Sequence, residues 1–242
     1  MRIPIRLIPQ GVIVRDPKMV FRIERVTEAA PVVAAAVVAV DPLPYLDAFN
    51  GTGPLENHTA DSGHTYANGV TDLIVTGGAL RASGSGIFGF AAIEPPPLAV
   101  ADRFIEVVIV SDDWATYEGN NIFLEVRDSQ IIIGSYYARV MPPSTLRGPY
   151  YTYTVGKNIS SVETEFVGDA AITSLIAENA PVTVRFSAVG DTLTLTIAGV
   201  DEFTTTDTDV TDGGYLYISV GTDAAAGAAD HIGILTAEAD AL

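Results

Sequence analysis

The single tryptophan of the chain, Trp114, stands in Asp112-Asp113-Trp114-Ala115-Thr116-Tyr117, with two acids before it and a tyrosine after it. An aromatic face stacks on the apolar side of a sugar ring while adjacent carboxylates accept hydrogen bonds from its hydroxyls. Asp112, Asp113, Trp114 and Tyr117 therefore form a candidate glycan-binding set. Tyr136, Tyr137, Tyr150, Tyr151 and Tyr153 add aromatic surface that either joins such a site or packs the body of the protein. A second candidate is acidic. Asp207-Thr208-Asp209-Val210-Thr211-Asp212-Gly213 places the carboxylates of Asp207, Asp209 and Asp212 before a glycine, which invites calcium. The later bidentate Glu of an EF-hand loop is missing, and a solvated acidic loop is the competing reading.

His58, Asp61 and His64 are also of metal-ligating type. Their spacing matches no zinc signature, and Thr59, Asp61 and Ser62 suit a hydrogen-bonded turn as well. His231 falls on the last strand expected and reads as a packed or surface residue. Catalytic patterns are sparse. Glu125 and Asp128 are neighbouring acids on a convincing strand, but a separation of three puts them on opposite faces of a regular strand. A glycosidase acid and its nucleophile must face one sugar, so hydrolysis by this pair is not expected. No Gly-x-Ser-x-Gly elbow or phosphate-cradling Gly-Lys motif occurs. The absence of cysteine removes disulfides, thiol nucleophiles and zinc-thiolate sites together. The expectation is a protein that is not an enzyme.

The elements that position these residues are strands. In Val182, Val184, Phe186 and Ala188 apolar side chains alternate with Thr183, Arg185 and Ser187. After Val189-Gly190-Asp191 the alternation resumes as Leu193, Leu195 and Ile197 against Thr192, Thr194 and Thr196. Strict period two with β-branched residues on both sides of a Gly-Asp break predicts a hairpin with one buried face. Phe203 to Thr206 and Tyr215 to Gly221 predict two further strands. Upstream, candidates recur at short spacing: 73–76, 78–82, 87–92, 104–110, 122–127, 130–137, 150–155 and 162–166, with a turn expected at Asp128-Ser129. Ala170 to Ala177 predicts a helical turn or two. The pattern predicts an all-β, antiparallel β-sandwich running from residue 45 to 242.

Two segments precede it. Residues 1–27 are extended in pattern and hold Arg2, Arg6, Arg15, Lys18, Arg22 and Arg25 against Asp16 and Glu24. The whole chain carries a net charge of −17, so this basic stretch heads an acidic body. Such a body repels nucleic acid and anionic membranes, while a basic arm seeks an acidic protein surface. An ordinary N-terminal strand pair with Arg on its wet side fits the charge equally. Residues 28–44 are rich in Ala, Val and Pro and read either as a stiffened linker or as a segment packed between identical subunits. No apolar run is long enough to span a bilayer, and Met1-Arg2-Ile3-Pro4-Ile5-Arg6 contains no signal-peptide apolar region.

The run Asp47, Phe49, Gly51-Thr52-Gly53-Pro54-Leu55, His58-Thr59, Asp61-Ser62-Gly63 and Tyr66 resembles the first strand and loop of concanavalin-like, laminin-G-type jelly rolls of bacteriophage structural proteins. The Tyr66 position is commonly tryptophan in that family. The paired strands from Val182 to Gly199 and the segment Gly213 to Gly221 resemble later strands of the same family. The resemblance implies a concanavalin-like jelly roll from about residue 45 onward. It further implies a virion structural protein, a capsid decoration, spike or fibre, displayed on the particle surface and anchored to other virion proteins through its arm. A homotrimer packed around the Ala/Val stretch is expected on that stretch's apolarity. The alternative is a carbohydrate-binding receptor module of a tail or fibre that recognises a host surface glycan. No cofactor is expected beyond calcium at the acidic loop.

Overall fold

The computed structural model describes residues 44–67, 72–84, 88–94, 102–111, 121–128, 134–143, 150–172, 177, 179–210, 215–221 and 232–241. Asp112, Asp113, Trp114, Tyr117, Asp212, His231 and the arm residues Arg2, Arg6, Arg15, Lys18, Arg22 and Arg25 lie outside the described residues. The strands in chain order are β1 (Tyr45–Asp47), β2 (Gly53–Pro54), β3 (Thr65–Ala67), β4 (Leu73–Thr76), β5 (Ala79–Ala82), β6 (Phe88–Glu94), β7 (Arg103–Ser111) and β8 (Asn121–Asp128). They continue as β9 (Ser135–Met141), β10 (Thr152–Ile159), β11 (Val162–Ala171), β12 (Val182–Val189), β13 (Thr192–Ile197), β14 (Val200–Thr206), β15 (Tyr215–Gly221) and β16 (Ile232–Ala241). One short 3₁₀ turn, Leu55–Asn57, follows β2.

The strands form an antiparallel sandwich. One sheet runs β14-β13-β12-β7-β16-β5-β4-β2 with β1 also paired to β16, and the other runs β11-β10-β9-β8-β15-β6-β3. Period-two alternation decides which side chains enter the space between them. Val184, Phe186, Leu195, Ile105, Val107 and Ile109 enter from the first sheet and Leu124, Val126, Ala138, Val140, Val155 and Ile218 from the second, all 0% exposed.

Turn chemistry fixes the register. Two-residue loops with both central residues at positive φ match the strand twist, and Gly77-Gly78, Ser160-Ser161 and Ala198-Gly199 all adopt this conformation. The expected Gly190-Asp191 hairpin joins Val189 to its partner Thr192. On one side of the molecule both sheets end in strands paired along a single edge, β11 and β14. These edges carry Glu163, Glu165 and Asp169 on β11 and Asp201 and Glu202 on β14, with register shifts in both pairings. Phe166 and Phe203 stack across them at 6.5 Å between centroids.

Three local expectations change. Ala170 and Ala171 are not helical: they pair with Tyr153 and Thr152 as the end of β11. Alanine favours helix, but a ladder position beside β10 supplies hydrogen bonds and burial that propensity does not outweigh. β8 runs through Asp128, the first residue of the expected turn, and β9 is described from Ser135; residues 129–133, where the rest of that turn and the start of the strand expected from Gln130 fall, lie outside the described residues. β8 is also irregular: Arg127 has φ 56, and Tyr215 and Tyr217, two apart, face Asp128 and Glu125, three apart. This bulge withdraws the regular-strand premise used above to place Glu125 and Asp128 on opposite faces.

The core makes a direct prediction. Phe186→Ala, at a fully buried position, should lower unfolding free energy by about 3–5 kcal/mol in a denaturant titration. Val200→Ala, at a position 44% exposed, should change it by less than about 1 kcal/mol.

Candidate functional site

The side chains out of phase with the core define the outer face of the seven-stranded sheet. Register places Tyr217 opposite Glu125, Glu125 opposite Tyr137, Tyr137 opposite Gly156, and Gly156 opposite Glu165, one continuous row across five strands. The adjacent row runs Phe90, Ser219, Phe123, Arg139 and Thr154. Same-face neighbours on adjacent strands are within reach of aromatic side chains, so the rings meet. Phe123 stacks on Tyr137 with centroids 5.0 Å apart and planes at 16°, and Phe90 lies 6.2 Å from Tyr217.

Gly156 makes this arrangement possible. A Cβ there would sit 2.6 Å from the Tyr137 hydroxyl and 2.6 Å from the Thr164 carbonyl, so only glycine lets the tyrosine lean across the sheet. Tyr137 and Tyr217 are buried as a floor, while Phe90 is 43% exposed and Phe123 half-buried above it. Ser135 Oγ donates to Glu125 Oε1 at 3.0 Å, which orients that carboxylate. The Tyr137 hydroxyl is pushed up to about 12, first by burial, then by Glu163, Glu165 and Glu125 against the opposing Arg139. It stays protonated and able to donate at any physiological pH. Aromatic faces flanked by carboxylate acceptors are the chemistry of sugar recognition.

A different cluster, centred on the buried Asp47 carboxylate, closes the start of the sandwich. Asp47 Oδ1 accepts from the Phe49 amide at 2.7 Å, and its carboxylate also meets His58 Nε2 at 2.9 Å and the Tyr66 hydroxyl. Tyr45 and Tyr66 hydroxyls lie 2.7 Å apart, and burial pushes both phenols well above their ordinary value. Asp61 and Ser62 lace the following loop to β1 through the Ala48 amide and the Leu46 amide and carbonyl. His64 Nδ1 contacts Ser62 Oγ at 2.8 Å. His58, Asp61 and His64 thus take three separate structural tasks rather than converging on one ion. The Ser62–His64 and His58–Asp47 pairs use different imidazoles, so they do not form a relay that would activate a serine.

The acidic loop is held by a protein cation. Lys157 Nζ lies 2.6 Å from Asp207 Oδ2 and 2.5 Å from Asp209 Oδ2. Asp207 Oδ1 accepts from the Tyr136 hydroxyl at 2.7 Å and from the Asp209 amide at 2.9 Å. Both oxygens of Asp207 and one of Asp209 are therefore engaged by protein donors, and Asp212, the third carboxylate of the calcium expectation, lies outside the described residues. Among the described residues no group of three or more ligand-type side chains is placed to hold a metal. Arg127, buried at its bulge, adds a second tie by donating to the Val210 carbonyl at 3.0 Å and the Gly190 carbonyl at 2.7 Å.

The other sequence candidates separate. Tyr136, Tyr151 and Tyr153 are core residues, Tyr150 is exposed at 36%, and Tyr137 belongs to the outer face. Phe90, Phe123, Arg139 and Tyr217 were not singled out by the sequence. Their signal is phase: each is one step out of register with a run of core residues on its own strand.

No family model matches the chain, and no curated protein matches it in sequence. Its fold is similar to that of the Ca²⁺-bound exoplasmic/lumenal domain of VIP36, at TM-score 0.52 and 13% identity over 82% of this chain and 92% of that one. It is also similar to the potassium-bound carbohydrate recognition domain of Emp46p, at TM-score 0.50 and 14% identity over 78% and 94%. A third likeness is to a protein from work on endo-acting O-glycanases of the human gut microbiota, at TM-score 0.53 and 8% identity over 82% and 98%. At these identities the likeness is one of fold, the concanavalin-like sandwich.

The Lys157 cluster couples the stability of the fold to pH. Burial acts most strongly on Asp207 and acts upward, but Lys157 and Tyr136 together leave its carboxyl below the ordinary range. The two carboxylates hold the Lys157 ammonium above its ordinary value. A depressed carboxyl contributes stability that is complete above the ordinary carboxylate range and is lost as pH falls through the depressed value; the raised lysine contribution is lost as pH rises through its own. Lys157→Met should cost about 1–3 kcal/mol at neutral pH and flatten the acid limb of a plot of stability against pH, followed by thermal melts.

Proposed function

We propose that this protein is a non-catalytic carbohydrate-binding sandwich that recognises a glycan on the outer face of its seven-stranded sheet. The observation carrying this is the row of Tyr217, Glu125 and Tyr137 beside Phe90 and Phe123, rings interleaved with an oriented carboxylate. The fold supports the reading, since concanavalin-like sandwiches include a carbohydrate recognition domain and a VIP36 domain bound to Man2. The Asp112, Asp113, Trp114 and Tyr117 loop is a second aromatic-acid set available for the same task.

Phe90→Ala and Phe123→Ala should each weaken glycan binding by about tenfold, since one stacked ring contributes roughly 0.5–1.5 kcal/mol beyond its area. Isothermal titration against oligosaccharides selected on a glycan array reads the loss, and chromatography of the recovered ligand should find it uncut. Unchanged affinity in both variants would move the site elsewhere on the sandwich.

The wider setting we propose is a virion surface, with the basic residues of 1–27 docking on an acidic virion protein and residues 28–44 packing in a trimer. The support is the charge split between a basic arm and an acidic chain of net −17. Deleting residues 1–44 should leave a folded, monomeric sandwich that no longer attaches to particles lacking the native protein, while the full chain sediments as a trimer. Retained attachment of the truncated protein would assign docking to the sandwich itself.

A further inference from the structure

We infer that the outer face discriminates by charge, accepting uncharged glycans and rejecting polyanionic ones such as uronate, sialylated or sulfated chains; this rests on the glycan-binding reading above. Four carboxylates share the face. Glu125 stands between Tyr217 and Tyr137, Glu165 lies opposite Gly156 beyond the Tyr137 ring, and Glu163 and Asp169 flank Glu165 along β11. Glu163 and Glu165 are exposed, and Asp169 is 71% exposed, so their charges reach an incoming ligand.

Against them, Arg139 is the cation that the described residues place on this face. Its Nη2 donates to Thr154 Oγ1 at 3.3 Å and lies 4.0 Å from Asp169, so the one cation stands beside a carboxylate of the same face and is outnumbered there. Recognition of a sugar carboxylate or sulfate calls for a guanidinium fork or ammonium aimed at the ligand. Carboxylates are acceptors only, and they match the many hydroxyl donors of an uncharged polyol. An anionic ring lying on Phe123 would sit within a Debye length, about 8–10 Å, of several like charges. The chain's net charge of −17 slows the approach of such ligands further. The carboxylates that hold the Tyr137 phenol proton are the same groups that would repel a ligand anion.

The test uses the full chain on an array carrying neutral hexose and N-acetylhexosamine oligomers beside their uronate, sialylated and sulfated counterparts. Binding should be confined to neutral spots. The double variant Glu163→Gln, Glu165→Gln, altered only at exposed positions, should raise the ratio of anionic to neutral binding by about tenfold. Raising salt from about 20 to about 200 mM should narrow the wild-type discrimination in the same direction. If wild type binds anionic spots as well as neutral ones, and Phe123→Ala abolishes both, charge selection is overturned while glycan binding on this face stands. If the folded protein binds no spot at any salt, both readings fall.

Discussion

A pleated strand has two faces and one alternation, and each sheet must hide one of them. That constraint governs everything else in the molecule. On β12 and β13 the bargain is simple: Val184, Phe186, Leu193 and Leu195 go inward, while Thr, Ser and Arg take the water side. On β8, β9 and β15 the outward phase also holds large rings, Phe123, Tyr137 and Tyr217, which cover one another instead of being covered by a second layer. The same pleat that builds the core thus leaves an aromatic surface on the far side of one sheet. Gly156 sets its depth by giving Tyr137 somewhere to lean.

The rims of the sandwich follow another rule, since there the ladders stop and charges must find partners. Asp47 gathers an imidazole, a phenol and a backbone amide at the end of the first strand. Elsewhere on the rim stand Lys157 and Arg127, two cations of the seven-stranded sheet that fasten the loop after β14 and the β12–β13 turn. A buried charge costs several kcal/mol unless it is paired or hydrogen-bonded; Lys157 is both, and Asp47 and Arg127 each hold two or more hydrogen bonds. The acidic loop is therefore stiffened from within by an ammonium.

What could be read from the sequence divides along the same line. The β12–β13 hairpin was legible because apolar and polar residues alternate on either side of Gly190. The start of β9 was not, because Tyr136 and Tyr137 are both aromatic and neither phase looks wet. Ala170 and Ala171 favoured helix locally and were overruled by pairing with β10. The Lys157–Asp207 contact joins residues fifty apart, which no local pattern encodes, so Asp207 and Asp209 looked like open ligands. The bulge at Arg127 carries no glycine to announce it, and the faces of Glu125 and Asp128 were reckoned without it.

Strands β11 and β14 leave rows of backbone donors and acceptors unclaimed, the usual invitation to fibril growth. Here the invitation is withdrawn by Glu163, Glu165, Asp169, Asp201 and Glu202 and by the slipped pairings beside them. An approaching copy meets like charge and a ladder out of step. That side of the sandwich is consequently suited to crowding: copies can stand edge to edge, at concentrations where a flat neutral edge would polymerise, without joining their sheets.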